Sequence, residues 1–242
     1  MSVLLEIDRI SKTFGGVAAN SDITFQVIAG EILGLIGPNG AGKTSLFNSI
    51  AGEVRPDAGE IRLDGVRISG FGPAHCARLG IARTFQVVRS FESMTVLENV
   101  MVGAFARTNS PRAAMRKAEE VLDYTGLAAK VDAAAHLLSP PEKRRLEIAR
   151  ALATDPRILL LDEMLTGLTP TEALAGVQLI RDIRAKGITI LMVEHVMEVL
   201  LPLIDRAVVL NLGKVLTEGL PQEVIRNPEV IRAYLGDRYA AA

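Results

Sequence analysis

The stretch Gly37-Pro38-Asn39-Gly40-Ala41-Gly42-Lys43-Thr44 constrains this chain more than any other. It follows a short apolar run, Ile32 to Ile36, and opens a segment with helical spacing from about Lys43 to Ile50. Apolar strand, glycine-rich turn and helix in that order dictate a strand–loop–helix unit of an α/β sheet. The spelling G-x-x-x-x-G-K-T adds chemistry. Glycines let the backbone curl so that successive N–H groups point inward, and the helix start adds the positive end of its dipole. Such a nest suits a polyphosphate. Lys43 brings a charge to its terminal phosphates, Thr44 offers a hydroxyl to Mg²⁺, and Ser45 follows in the same first turn. A glycine-rich turn by itself is bland; the flanking strand and helix are what favour the functional reading.

A second constellation lies downstream. Ile158-Leu159-Leu160-Leu161-Asp162-Glu163 is an apolar strand that ends in two carboxylates. The end of a parallel strand opens on the ligand crevice. Asp162 is suited to hold Mg²⁺ through water, and Glu163 to polarise an attacking water as general base. Solvated acids after an ordinary strand are the plain alternative, and the phosphate loop upstream weighs against it.

The rest of the chain is consistent with a single soluble domain. Its 242 residues include 49% hydrophobic and 23% charged side chains, enough for a core of useful size. With 27 basic and 28 acidic residues the net charge is −1, which argues against a nucleic-acid footprint. Cys76 is the single cysteine, so no internal disulfide is possible and a reducing cytosol is expected. The N-terminal residues do not spell a signal peptide, and no apolar run approaches the roughly 20 residues that span a bilayer.

Strand-like alternation is expected at Leu5–Asp8, Ile23–Val27 and Glu60–Gly65. Helical spacing follows over Thr95–Ala106, Pro111–Thr125 and Pro140–Ala153, so residues 88–150 read as a mostly helical arm. The α/β core comprises residues 1–87 and 151–242, with strands at Ile158–Leu161, Ile188–Val193 and Ala207–Leu210 and helices at about 170–185 and 195–203. Fully apolar strands between helices imply a mostly parallel sheet covered on both faces, with an antiparallel β region near the N-terminus.

Taken together, these residues resemble a nucleotide-binding subunit of an ABC transporter over essentially the whole chain. The resemblance implies a P-loop NTPase fold of the ABC type, ATP and Mg²⁺ as ligands, and hydrolysis coupled to transport. It also assigns roles. Gln86, in Arg83-Thr84-Phe85-Gln86, matches the glutamine that contacts Mg²⁺ and senses the membrane partner; His195, in Val193-Glu194-His195, matches the switch histidine at the γ-phosphate. Phe14 sits where the family stacks an aromatic on adenine, and Ser139 lies in the signature that grips the nucleotide of the partner subunit. The runs Gly80–Gln86, Met94–Val100 and Asn227–Gly236 look like the ATPases of branched-chain amino-acid importers. That implies a peripheral place on the cytoplasmic face of the membrane. The implied partners are permease subunits, a second ATPase subunit and, indirectly, a periplasmic or extracellular binding protein. The alternatives are an ATPase of a lipid or lipopolysaccharide exporter and a weakly hydrolysing regulatory partner.

The chain departs from the family pattern in three places. The usual Leu-Ser-Gly-Gly-Gln signature is here Leu138-Ser139-Pro140-Pro141-Glu142. Proline has no N–H to offer and Glu142 adds negative charge, although Ser139, Pro140 and Glu142 together make a good helix start. Met164 stands where proline usually follows the acidic pair, and Thr169 stands where an aspartate is common. These changes fall on what the chain presents to its partner and favour an asymmetric heterodimer over a homodimer.

Overall fold

A computed structural model describes residues 2–85 and 90–235. Two long strands, β1 (Val3–Phe14) and β2 (Val17–Ile28), form a hairpin around Gly15 and Gly16, whose φ angles are +51° and +87°. Next come β3 (Ile32–Ile36), α1 (Lys43–Ile50), β4 (Ala58–Leu63), β5 (Val66–Arg67), α2 (Pro73–Leu79) and β6 (Ile81–Arg83). The middle of the chain holds α3 (Val96–Ala104), α4 (Pro111–Tyr124) and α5 (Pro140–Leu152). There follow β7 (Ile158–Asp162), α6 (Pro170–Ala185), β8 (Thr189–Val193), α7 (Met197–Leu200), β9 (Arg206–Asn211), β10 (Lys214–Gly219), α8 (Pro221–Val224) and α9 (Pro228–Leu235).

The chain forms two compact units, Met1–Cys76 with Thr189–Ala242, and Ala77–Ile188. In the first unit an antiparallel sheet runs in the order β2-β1-β4-β5. A second sheet places β3 between β8 and β9, parallel to both, with β10 antiparallel to β9. Every residue of β3 and β8 is buried, which is why these strands are apolar apart from Thr189 and do not alternate. In the second unit β6 and β7 pair in parallel, Ile81 opposite Ile158, and α3, α4 and α5 pack on one another.

Local chemistry accounts for the helix starts. Thr95 caps α3, with Glu98 returning a carboxylate to the Thr95 N–H at 2.8 Å; Ser110 caps α4 ahead of Pro111; and Thr169 caps α6 ahead of Pro170. The expected helix over 195–203 is shorter than its spacing suggested. It covers Met197–Leu200, because Val196 supplies no side-chain cap and Pro202 restricts the residue before it and cannot donate. The strand β10 and the helices α8 and α9 were not anticipated. The β10 side chains are half-buried or exposed, so they lack a clean alternation, and α8 is a single turn.

Candidate functional site

The phosphate loop is a consecutive stretch of the first unit, packed against residues far apart in sequence. Lys43 begins α1 and is 8% exposed; its Nζ donates to the carbonyls of Gly37 at 2.6 Å and Pro38 at 3.0 Å. The loop closes on itself where the Ala41 N–H donates to the Pro38 carbonyl at 3.1 Å. Gly37 has φ +154°, and a Cβ there would lie 2.2 Å from the Leu210 carbonyl oxygen. Gly42 has φ +100°, and a Cβ there would lie 2.2 Å from the Ala19 carbonyl oxygen. At Gly40, φ +79°, nothing lies within 4 Å of a Cβ position. Two glycines are thus demanded by close packing and the third only by its backbone angle. Pro38, Asn39 and Ala41 complete the turn, Thr44 is exposed at the helix start, and Ser45 is half-buried beside it.

Sequence reading did not single out the buttress behind this loop. Asn20, 1% exposed, donates from Nδ2 to the Gly42 carbonyl at 3.1 Å. The Gly213 N–H donates to the Ala41 carbonyl at 3.1 Å, and the Ser21 N–H to the Gly213 carbonyl at 2.7 Å. No local pattern marks Asn20 or Gly213 as loop residues. Their role follows from strand pairing alone.

Phe14 ends β1 and is 46% exposed, with the Lys12 ammonium 5.3 Å from its ring centroid. Lys12 also pairs with Asp57 at 2.7 Å, which holds the Asp57 carboxyl below its usual range. His195 is exposed just beyond β8, and Glu194 before it is buried. Burial raises the Tyr234 phenol in α9, an effect partly offset by the Gly37 backbone.

The acidic pair belongs to the second unit. Asp162 ends β7 at 4% exposure, its N–H donating to the Thr84 hydroxyl at 3.2 Å. The Arg83 guanidinium lies 3.6 Å from the Asp162 carboxylate and 4.6 Å from the Phe85 ring centroid. Asp162 is therefore a buried carboxylate with a cationic group beside it. Glu163 follows with φ +52°, a left-handed conformation uncommon for a side-chain-bearing residue. Gln86 lies outside the described residues.

The altered signature opens α5 as its spelling implied. Glu142 reaches back so that its carboxylate accepts from the Ser139 N–H at 2.9 Å and from the Ser139 hydroxyl at 3.0 Å. Lys130 pairs with the other carboxylate oxygen at 2.9 Å. Hydrogen bonds from Lys130 first, and then from the Ser139 backbone, hold the Glu142 carboxyl below its ordinary range.

This geometry suits a nucleotide. The glycine positions keep the loop backbone free of side chains, a cationic Nζ sits inside it, and the next residue on the helix carries a hydroxyl. Residues 20–166 match the family model described as ABC transporter. The chain belongs to the ABC transporter family. This ABC cassette is an ATPase, and its residues 214–240 match a second model, the branched-chain amino acid ATP-binding cassette transporter. It is 38% identical to the high-affinity branched-chain amino acid transport ATP-binding protein BraF of Pseudomonas aeruginosa, with 97% of this chain and 98% of that protein covered. It is 39% identical to LivG of Escherichia coli, the protein of the same description, over 97% and 98%. It is 40% identical to the lipopolysaccharide export system ATP-binding protein LptB of Acidithiobacillus ferridurans, with 99% of each covered. Among solved structures, a nucleotide-free ATP-binding cassette from an ABC transporter superposes with a TM-score of 0.89 at 31% identity, covering 98% of this chain and all of that one. An ADP conformation of such a cassette gives the same values. The expected fold, a P-loop NTPase of the ABC type with parallel strands, an antiparallel β region and helices, is the one observed.

Proposed function

We propose that this cassette hydrolyses ATP to power an importer of branched-chain or other small amino acids. The match of residues 214–240 to the branched-chain amino acid cassette model carries the reading, because that segment lies outside the general ABC match. The phosphate loop holds the nucleotide through its N–H groups and Lys43, and Phe14 packs on the base. Glu163 takes the proton of the attacking water, and His195 and Lys43 steady the charge that develops on the transferring phosphoryl group. Thr44 and Asp162, with Gln86, are the residues that would hold Mg²⁺, which when bound neutralises charge on the phosphates. Asp162 fits that role, being a buried carboxylate already facing a cationic group.

No helix among the described residues is long and apolar enough to cross a membrane. The cassette works peripherally at the cytoplasmic face, docked on permease subunits. The signature supports a heterodimer with a second ATPase subunit. With Pro140 and Pro141 lacking N–H groups, and the Ser139 donors turned onto Glu142, α5 offers little to a phosphate presented by a partner. One site of the pair is then strong and the other weak.

ATP hydrolysis by the purified chain, alone and mixed with its candidate partner ATPase, tests this reading alongside Glu163→Gln. Activity in the mixture that the variant abolishes is the expected result. Activity of the chain alone at the rate of the mixture would refute the asymmetric pair. Uptake of labelled leucine by a strain lacking the gene, with and without complementation, separates the importer from the exporter reading that the likeness to LptB keeps open.

A further inference from the structure

The loop after the acidic pair is held from an unexpected quarter. Glu163 turns the chain with φ +52°, a conformation that persists only where its surroundings over-determine it. Met164 and Leu165 are each 5% exposed, and a Cβ on Gly176 of α6 would come within 2.5 Å of Leu165 Cδ2, so Leu165 rests directly on the helix backbone. A further constraint comes from Arg144 of α5. Its Nη1 donates to the Met164 carbonyl at 3.1 Å and also to the Thr166 carbonyl. Two carbonyls that flank Leu165 thereby converge on one guanidinium nitrogen. That fixes the path of the chain immediately after Glu163. A proline at position 164 would have restricted the same backbone through its ring. Met164 leaves that torsion free, and the guanidinium supplies the restraint from outside.

We propose that Arg144 is a positioning residue for Glu163: by clamping the carbonyls of Met164 and Thr166 it keeps the Glu163 carboxylate where hydrolysis needs it. Arg144 lies one turn into the helix that opens with Ser139 to Glu142. The helix carrying the altered signature therefore also sets the geometry of the chain's own base. This inference rests on the assignment of Glu163 as that base.

The test compares Arg144→Ala, Arg144→Lys, Glu163→Gln and the double variant Arg144→Ala/Glu163→Gln in the full-length chain, assembled with its partner subunits. A displaced base costs rate and leaves binding intact, so Arg144→Ala should lower kcat by about tenfold or more with KM for ATP within about twofold of wild type. Arg144→Lys should recover part of that rate, because its ammonium keeps the charge and the donors but sits on a side chain of different length and shape from the guanidinium. In the Glu163→Gln background, Arg144→Ala should change kcat by less than about twofold, as two groups acting through one step are not additive. Wild-type kcat in Arg144→Ala, or a full further loss in the Glu163→Gln background, would overturn the proposal. Wild-type kcat in Glu163→Gln would instead remove the base assignment, and this proposal with it. If Arg144→Ala does not fold, Arg144→Lys decides: lowered kcat at unchanged KM supports positioning, and wild-type kcat refutes it.

Discussion

Glu142 folds back onto Ser139, its carboxylate accepting from the backbone N–H at 2.9 Å and from the hydroxyl at 3.0 Å. In this signature the helix start is therefore satisfied by a side chain of the same helix, with Lys130 balancing the charge at 2.9 Å. Because the Glu142 carboxyl is held below its ordinary value, its stabilising effect is present above the unfolded-state value and is lost as pH falls through the folded one. A carbon-detected titration of the Glu142 carboxyl should show a midpoint below that of an unstructured glutamate. Lys130→Ala, which removes the largest cause, should move it upward. An unchanged midpoint in that variant would contradict the pairing.

The phosphate-loop glycines should respond unequally to alanine. Gly37→Ala and Gly42→Ala each place a Cβ 2.2 Å from a backbone carbonyl oxygen, so each should cost about 2 kcal/mol or more and weaken ATP binding. Gly40→Ala meets no atom within 4 Å and should cost only the left-handed strain, about 1 kcal/mol. Urea unfolding and nucleotide titration of the three variants give the ranking; equal losses would sink the steric account.

Arg107 gathers the ends of three segments in the second unit. Its guanidinium donates to the carbonyls of Arg78 and Thr154, both at 2.6 Å, and Asp155 at 3.1 Å. Arg107→Ala strips helix-end carbonyls of a charged donor and should destabilise the chain by about 1–2 kcal/mol. The urea midpoint should fall without a change of slope. Arg107→Lys should recover less than half of the loss, having no fork to span several carbonyls.

The Tyr124 hydroxyl is buried and finds no hydrogen-bond partner among the described residues. Burial, followed by the charge of Asp182, pushes its phenol up to about 12. The difference in alkaline absorbance between wild type and Tyr124→Phe should therefore show a step near that value. Removing an unsatisfied hydroxyl should leave stability within about 1 kcal/mol or raise it. A clear loss of stability would mean that the hydroxyl has a partner.

What the sequence determined by itself was local. The run from Ile32 to Ile50 becomes strand, loop and helix with the boundaries its spacing implied for β3 and α1, and Thr95, Ser110 and Thr169 announce their helices, because capping and turn chemistry act over three or four residues. Phosphate-loop chemistry was legible for the same reason: its donors are consecutive. The short or half-buried elements at the C-terminus were not legible, since β10 lacks a clean alternation and α8 is a single turn. Tertiary structure alone decided that Asn20 and Gly213 brace the loop, that Arg83 faces Asp162, and that Arg144 holds the turn after Glu163. Each of these pairs joins residues about 20 to 170 positions apart, and no local propensity encodes a contact that strand pairing and helix packing must first create.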